Sequence, residues 1–314
     1  MSYPATPFGH LRRLTDNIGL IQHADGTAPL HGDGYNVDDS ARGLLVICRE
    51  PSPSQELVVL GRRYLYFLAQ AQALGGKFRN HLGYDRRWHD QPGTGDGWGC
   101  SLWALGTAAT RGPTPGIREE SFTRFNRGAR VSSPAAPAMA FAALGAAEVL
   151  DSHPGHAGAL ALLYRASIVI GEPPENAVWP WPAPRLGAAN AAIAEAVIVS
   201  GRHLGNDRML RNGLRMLEWL LATETKDGHL SVISPLGWGP GLNRFSDPTG
   251  KLFGVVYLGS SLKVCFVETI LRNRVDGLLE ALPIARSELD LWVAAEIRVR
   301  KLLTLVDLRG DGRL

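Results

Sequence analysis

Cysteine is scarce in this 314-residue chain, and its three cysteines, Cys48, Cys100 and Cys265, lie far apart. An odd number without a Cys-x-x-Cys pair argues against a disulfide framework and against a cysteine zinc site. The histidines are dispersed and form no HExxH or similar pattern, so we expect no metal. This cysteine usage is typical of a reducing compartment, and the cytoplasm is the expected location.

Long apolar runs and clustered positive charge are also missing. No segment approaches the ~18 apolar residues of a membrane-spanning helix, and the N-terminal residues lack the apolar core of a signal peptide. The formal net charge is only +3, and the basic residues are scattered. A nucleic-acid surface needs clustered Lys and Arg. We therefore expect neither a membrane nor a nucleic acid as a partner.

Helical periodicity and small residues dominate the first three quarters of the chain. Leu57, Leu60, Tyr64, Phe67 and Leu68 recur at helical spacing. Segments such as AFAALGAA and AANAAIAEA allow helices to approach closely. Helices are predicted over residues 10–21, 37–49, 54–74, 100–110, 118–130, 135–150, 156–170, 190–204 and 207–222. Consecutive helices without a fixed-period consensus favour an α-toroid or solenoid over TPR or HEAT repeats.

The composition changes after Gly228. The following stretch is rich in Gly, Pro and Ser. Beyond it, residues 255–258 and 301–308 predict strands and residues 262–274 predict an amphipathic helix. We predict two domains, a helical one over residues 1–233 and a small α+β segment over residues 234–314. The predicted fold class is mainly α.

Three loops collect carboxylates, aromatic side chains and arginines, which are the residue types that handle sugars. Aromatic faces stack on sugar rings, and Arg or Asn side chains hydrogen-bond to hydroxyls. The candidates are Tyr35, Asp38, Asp39 and Arg42 in the first loop; Tyr84, Asp85, Arg86, Trp88, Asp96 and Trp98 in the second; and Trp179, Trp181, Arg185 and Asn190 in the third. Glycoside hydrolysis generally needs two carboxyl groups. The candidate catalytic residues here are therefore Asp38, Asp39, Asp85 and Asp96.

Structural roles fit some of these residues equally well. Asp38 and Asp39 suit the first turn of a helix, where carboxylates are stabilising. Asp85 suits an ion pair with the neighbouring Arg86. Trp103 and Trp219 lie inside apolar helical segments, and we expect both in the core.

Six segments, in order, resemble a family of (α/α)6-like toroid domains related to glycoside hydrolases. They are HLRRLTDNIGLIQHA, GYNVDDSARGLL, FRNHLGYDRRW, GDGWGCSLWALG, WPW with NAAIAEA, and GRHLGNDRMLRNGLRMLEWLL. The resemblance covers residues 8–233. It implies a pocket shared by Tyr35, Asp38, Asp39, Arg42, Tyr84, Asp85, Arg86, Trp88 and Asp96, with a glycan as ligand and no cofactor. The family is often fused or adjacent to bacterial sugar-nucleotide glycosyltransferases, so such an enzyme is a candidate partner.

The sequence departs from this family at two places. After Trp181 the family usually carries an acidic residue, where this chain has Pro182-Ala183-Pro184. After Gly228-His229 the family continues into closing helices, which this chain lacks. The resemblance therefore predicts an incomplete toroid with one expected carboxylate missing.

The C-terminal segment resembles the N-terminal half of a RES domain, a family of NAD-consuming toxins. The matching segments are NRFSDP, FGVVYL, VET and a strand ending in LVDL. The resemblance implies that Arg244 binds NAD phosphates or ribose, that Tyr257 lines the pocket, and that Glu268 acts near the nicotinamide ribose. A carboxylate there stabilises the positive charge that develops as the N-glycosidic bond breaks. The family's serine would lie beyond the end of this chain.

Three functions remain open from the sequence. The helical domain is a carbohydrate-processing or carbohydrate-binding toroid; or the chain is a RES-type NAD+ glycohydrolase or phosphorylase, with NAD+ as substrate and an antitoxin as partner; or it is a non-catalytic chimera of two incomplete domains. The first function predicts a cleft that gathers the four aspartates. The last predicts an exposed apolar patch where closing helices would pack.

Overall fold

A computed structural model describes residues 8–25, 27–175, 178–184, 186–187, 189–226 and 229–230 of the chain. The chain divides into two compact units, Met1–Val232 and Ile233–Leu314. Every described residue belongs to the first unit. The strands and helix predicted after residue 250 lie outside the described residues. Within the described ranges, no helix is both long enough and apolar enough to cross a membrane.

Helices make up most of the described chain, and the strands are two residues long. The helices are α1 (Gly9–Arg13), α2 (Val37–Arg49), α3 (Gln55–Ala71), α4 (Asp96–Arg111), α5 (Pro115–Gly128), α6 (Ala136–Ser152), α7 (Ala157–Ile170), α8 (Asn190–His203) and α9 (Asp207–Glu224). The strands are β1 (Ala24–Asp25), β2 (Ala28–Pro29), β3 (Tyr35–Asn36), β4 (His81–Leu82), β5 (Thr225–Lys226) and β6 (His229–Leu230), paired in order as two-stranded antiparallel sheets. A 3-10 turn covers His31–Asp33.

The helices from α2 onward form two layers. In the inner layer α2 packs on α4, α4 on α6, and α6 on α8. Each inner helix is followed by an outer helix that packs against it: α3, α5, α7 and α9. This succession of helical hairpins, inner then outer, confirms the predicted mainly α, toroid-like fold class.

The inner helices run parallel to one another. Residue numbers rise together across each contact: Gly99 of α4 meets Ala138 of α6, and further along Gly106 meets Gly145. At the far end of α4 the Arg111 side chain reaches Glu148 of α6. Because the inner helices share one direction, the loops that precede them lie at the same end of the layer.

Small residues let α4 and α6 touch backbone to backbone. A Cβ atom on Gly106 would lie 2.1 Å from the carbonyl oxygen of Gly145, and one on Gly145 would lie 2.1 Å from that of Leu102. Alanines such as Ala138 and Ala142 are fully buried beside this contact. The Ala- and Gly-rich composition of these helices therefore sets the spacing of the inner layer.

The helix predicted over residues 10–21 is wrong beyond Arg13, where α1 ends. The Asp16 carboxylate accepts hydrogen bonds from the backbone N–H groups of Ile18 and Gly19, at 2.8 and 3.2 Å. An Asp side chain that binds nearby backbone donors competes with helical hydrogen bonding. The chain therefore turns at Asp16 instead of continuing as a helix.

Candidate functional site

The three loops with candidate site residues all lead into inner helices, and they lie at the end that we call the mouth. The mouth comprises residues 31–36 before α2, residues 72–95 before α4, residues 129–135 before α6 and the described residues of 171–189 before α8, together with the first turns of those helices. The antiparallel pairing of β3 with β4 joins the first two loops. Distant segments of the sequence thus come together at one end of the helical layer.

Asp38, Asp39 and Arg42 form an acidic–basic cluster on the first turns of α2. Arg42 lies 3.2 Å from an Asp38 carboxylate oxygen and 3.6 Å from one of Asp39. One turn separates the arginine from these aspartates, so a regular helix brings the three side chains together. Both carboxylates also lie in the first turn of α2, where negative charge stabilises a helix, as the structural alternative predicted.

Carboxylates from α2 and α4 meet around the thiol of Cys100. An Arg42 amino group lies 4.0 Å from the Cys100 sulfur. Asp96 begins α4, one turn before Cys100. The pKa of the Cys100 thiol is raised to about 12. Burial is the largest cause, the charge of Arg42 lowers the pKa, and the charges of Asp38 and Asp96 raise it. Asp38 of α2 and Asp96 of α4 therefore both lie within electrostatic range of the Cys100 thiol.

Asp39 is a carboxyl of this cluster with a raised pKa. Its pKa is raised from 3.8 to about 6. Burial and then the adjacent charge of Asp38 raise the pKa, while the charges of Arg42 and His23 lower it. Its side chain keeps 29% exposure. A carboxyl with a pKa near 6 exchanges protons readily close to neutral pH, which is the property required of a general acid or base.

An aromatic wall stands beside this cluster. Tyr35 is fully buried, and its hydroxyl donates to Asp16 at 2.5 Å. The Tyr35 and Tyr84 rings stack with centroids 6.3 Å apart and planes at 21°. The Arg86 guanidinium lies about 6 Å from both ring centroids. Tyr84 is 46% exposed, so part of this wall, together with Arg86, is open to solvent.

Asp85 has the contacts of a structural carboxylate. It accepts a hydrogen bond from the backbone N–H of Arg87 at 3.1 Å and lies 3.5 Å from a ring nitrogen of His89. The following residue, Arg86, has a φ of 69°, a left-handed conformation that tightens this turn. Asp85 therefore contacts His89, whereas the sequence predicted Arg86 as its partner, and its catalytic role stays a prediction.

The tryptophans of the second loop lie against the core. Trp98 is 1% exposed, and its indole N–H donates to the carbonyl of Gly128 at 3.3 Å. Such burial leaves no ring face for a sugar, so the expectation that Trp98 binds substrate is corrected. Trp88 is half-buried and packs on Phe67, with ring centroids 5.7 Å apart.

The third loop is anchored on α9 by aromatic contacts. Trp181 is 2% exposed and lies 6.1 Å from Trp219, while Trp179 meets Trp219 edge-on at 5.1 Å. The Trp179 indole donates to the carbonyl of Ala183 at 2.8 Å. Trp181 is therefore a core residue, which corrects its predicted role in substrate binding. Trp219 is partly buried and packs against the core.

Of the remaining predicted site residues, only Asn190 lies within the described part of the chain. Asn190 accepts a hydrogen bond from the backbone N–H of Gly187 at 2.7 Å and so braces the loop before α8. Arg185 lies outside the described residues. So do Arg244, Tyr257 and Glu268, and their part in NAD binding stays a prediction. In the described ranges, no three His, Cys, Asp or Glu side chains come together as a metal site.

Two residues of the segment that precedes α2 escaped prediction. His23 lies 3.1 Å from the Asp33 carboxylate and contributes to the pKa of Asp39. Both precede Tyr35 in the turn-rich segment 22–34. No sequence spacing relates residue 23 to residue 39, because the proximity arises from the loop's return to the start of α2. The only available signal was a His and an Asp in a loop that leads into a candidate site.

Several buried oxygen atoms at the mouth have no hydrogen-bond partner among the described residues, and three of them lie in or next to the β3–β4 pair. These three belong to the side chains of Asn36, Asp38 and Asn80. Gly97 faces the Asn80 side chain, where a Cβ atom would lie only 2.2 Å from its oxygen.

Comparison with known proteins establishes the fold and leaves the family open. A solved structure of a sugar epimerase from a ruminal bacterium matches with a TM-score of 0.51 and 12% sequence identity, over 71% of this chain and 70% of that chain. At this identity the likeness establishes a shared fold. No protein-family model matches the chain, and no curated protein matches it. Neither family resemblance predicted from the sequence has a family match to support it.

Proposed function

We propose that the helical part of this chain is a carbohydrate-active domain that binds a sugar or glycan at the mouth and processes it by proton transfer. The observation that carries the proposal is the Asp38–Asp39–Arg42 cluster, in which one carboxyl has a pKa of about 6 beside an ion-paired neighbour. Two carboxyl groups held in different environments are the usual basis for an acid and its partner.

Asp39 is the proposed proton donor, and Asp96 is the proposed second carboxylate. Asp39 is protonated over part of the physiological range because of its raised pKa. Asp96 comes from the neighbouring inner helix, is exposed, and lies, like Asp38, within electrostatic range of the Cys100 thiol. Glycoside hydrolysis by this pair requires carboxyl groups separated by roughly 5 to 9.5 Å.

Tyr84 and Arg86 are the proposed contacts to the sugar ring. Exposed aromatic faces stack on the apolar face of a sugar, and the guanidinium supplies several hydrogen-bond donors to hydroxyls. This combination supports a hydroxyl-rich ligand better than an apolar one.

Epimerisation is a second candidate, favoured by the fold shared with a sugar epimerase. It would use Asp39, with His23 nearby, to move a proton at a carbon next to a carbonyl group. The two reactions differ in product, since hydrolysis releases a new reducing end and epimerisation changes only the configuration at one carbon. A sugar-nucleotide glycosyltransferase stays the proposed partner.

The test is incubation of the full chain with p-nitrophenyl glycosides and with reducing disaccharides, followed by absorbance and proton NMR. We expect turnover of at least one compound, and Asp39→Asn lowers that rate by about 100-fold or more. Asp207→Asn is the matched control, because Asp207 also lies in the first turn of a helix, α9. Turnover that is unchanged in Asp39→Asn, or neither turnover nor binding across the panel, would overturn the proposal.

A further inference from the structure

A cavity of about 470 Å³ lies beside the end of α5 and the first half of α7. It is lined by Asn126, Ala129, Arg130, Gly158 and Arg165. Ala129 and Arg130 begin the loop that leads into α6, so the cavity reaches the mouth end of the helical layer. None of the residues proposed for sugar chemistry lines it.

Among the described residues, the lining of this cavity is basic and includes no counter-charge. Two of its residues are arginines and none is acidic. Among the described residues, Arg165 has one hydrogen-bond partner, the Ala129 carbonyl, reached by a terminal nitrogen at 2.5 Å. Its Nε atom is buried without a partner. Partial burial lowers the Arg165 pKa, with no carboxylate among the causes of the shift.

An uncompensated guanidinium that is partly withdrawn from water is unfavourable unless an anion joins it. The hydrogen bond to Ala129 fixes the position of the Arg165 guanidinium. Arg130 adds a second, exposed guanidinium at the same cavity. Paired guanidinium groups bind the oxygens of phosphate with several charge-assisted hydrogen bonds. The Asn126 amide adds a neutral donor.

We propose that this cavity is an anion site that binds a phosphate group between Arg130 and Arg165. The phosphate is either inorganic or a monoester on a small sugar. The site stands apart from the proposed chemistry of Asp39, and its occupation does not depend on that chemistry.

The test measures binding to the full chain by isothermal titration and by thermal unfolding at constant ionic strength. The probes are inorganic phosphate, glucose 6-phosphate, glucose and acetate. We expect phosphate to bind and to raise the Tm, and Arg130→Gln to raise the phosphate Kd about tenfold or more. Arg130 is exposed, so this variant should fold. Arg62→Gln, at an exposed arginine of α3, is the matched control and should bind phosphate like the wild type.

Each outcome decides the proposal. A lower Kd for glucose 6-phosphate than for phosphate supports a sugar phosphate as ligand, and equal values support the phosphate group alone. Tighter binding of acetate than of phosphate would overturn the phosphate assignment. Absence of phosphate binding would overturn the site, as would equal binding by the Arg130→Gln, Arg62→Gln and wild-type chains. Loss of turnover in Asp39→Asn with phosphate binding intact separates this site from the proposed active site.

Discussion

At the residue scale, Asp39 is held in a position that disfavours its own charge. Burial and the Asp38 carboxylate raise its pKa from 3.8 to about 6. Between these two values the folded protein binds more protons at this group than the unfolded chain does. Its contribution to stability is therefore present at low pH, falls as the pH rises from about 4 to about 6, and remains lost above that range.

Asp39→Asn should consequently stabilise the protein at pH 8 and lose this advantage near pH 4. The expected gain in the free energy of unfolding at pH 8 is on the order of 1–2 kcal/mol, after allowance for the lost ion pair with Arg42. Urea denaturation at the two pH values measures it. Asp207→Asn is the control and should show no such pH dependence. A destabilised Asp39→Asn protein at pH 8 would contradict the assigned environment.

Single residues also show which parts of the site could be predicted from the sequence. The clustering of Asp38, Asp39 and Arg42 follows from helical spacing, which is a local property. The burial of Trp98 and Trp181 does not, because it depends on which helix packs over each ring. Prolines around Trp181 indicated an irregular loop, yet Trp219 of α9 covers the ring. The place of His23 beside Asp39 is equally non-local.

At the element scale, α4 and α6 make the closest contact between inner helices in the described part of the chain. Gly106 and Gly145 bring the two backbones together, with no space for a methyl group. The helix bounds themselves were largely predictable, since the predicted range 37–49 coincides with α2 and the predicted range 190–204 with α8 to within one residue. The failure at residues 14–21 arose from a local side-chain turn at Asp16.

Gly145→Ala should destabilise the protein although alanine favours helices. Its new Cβ would lie 2.1 Å from the Leu102 carbonyl oxygen, so a backbone must move, at an expected cost of about 2–3 kcal/mol. Gly116→Ala in α5 is the matched control, since a methyl group at that position would have no atom within 4 Å; it should be neutral or gain up to about 1 kcal/mol. Thermal unfolding compares both variants. Equal Tm values would contradict the backbone contact.

At the scale of the whole molecule, one core runs through all the described hairpins. Buried side chains form a continuous cluster from Ile21 to Leu220. At the end opposite the mouth, Glu148 of α6 bridges Arg49 of α2 at 3.0 Å and Arg111 of α4 at 2.8 Å. This bridge ties three inner helices together through one buried carboxylate.

The continuous core predicts that Cys48 and Cys100 become reactive only when the whole helical unit unfolds. Burial raises the pKa of both thiols to about 12, and the protonated, buried form reacts slowly. Iodoacetamide labelling across a urea series, read for each cysteine peptide by mass spectrometry, should give midpoints equal to the circular dichroism midpoint. An earlier midpoint for either cysteine would show that its hairpin opens separately.

The order of the hairpins in space follows their order in the sequence, and this bears on how the chain folds. Each hairpin packs mainly on the one before it and the one after it, so most contacts join segments that are near in sequence. Such topologies fold rapidly, because little loop entropy is lost before contacts form, and folding can begin at one repeat and spread to its neighbours. During synthesis on the ribosome, the α2–α3 hairpin is already present when α4 emerges, and each later hairpin finds its neighbour in place.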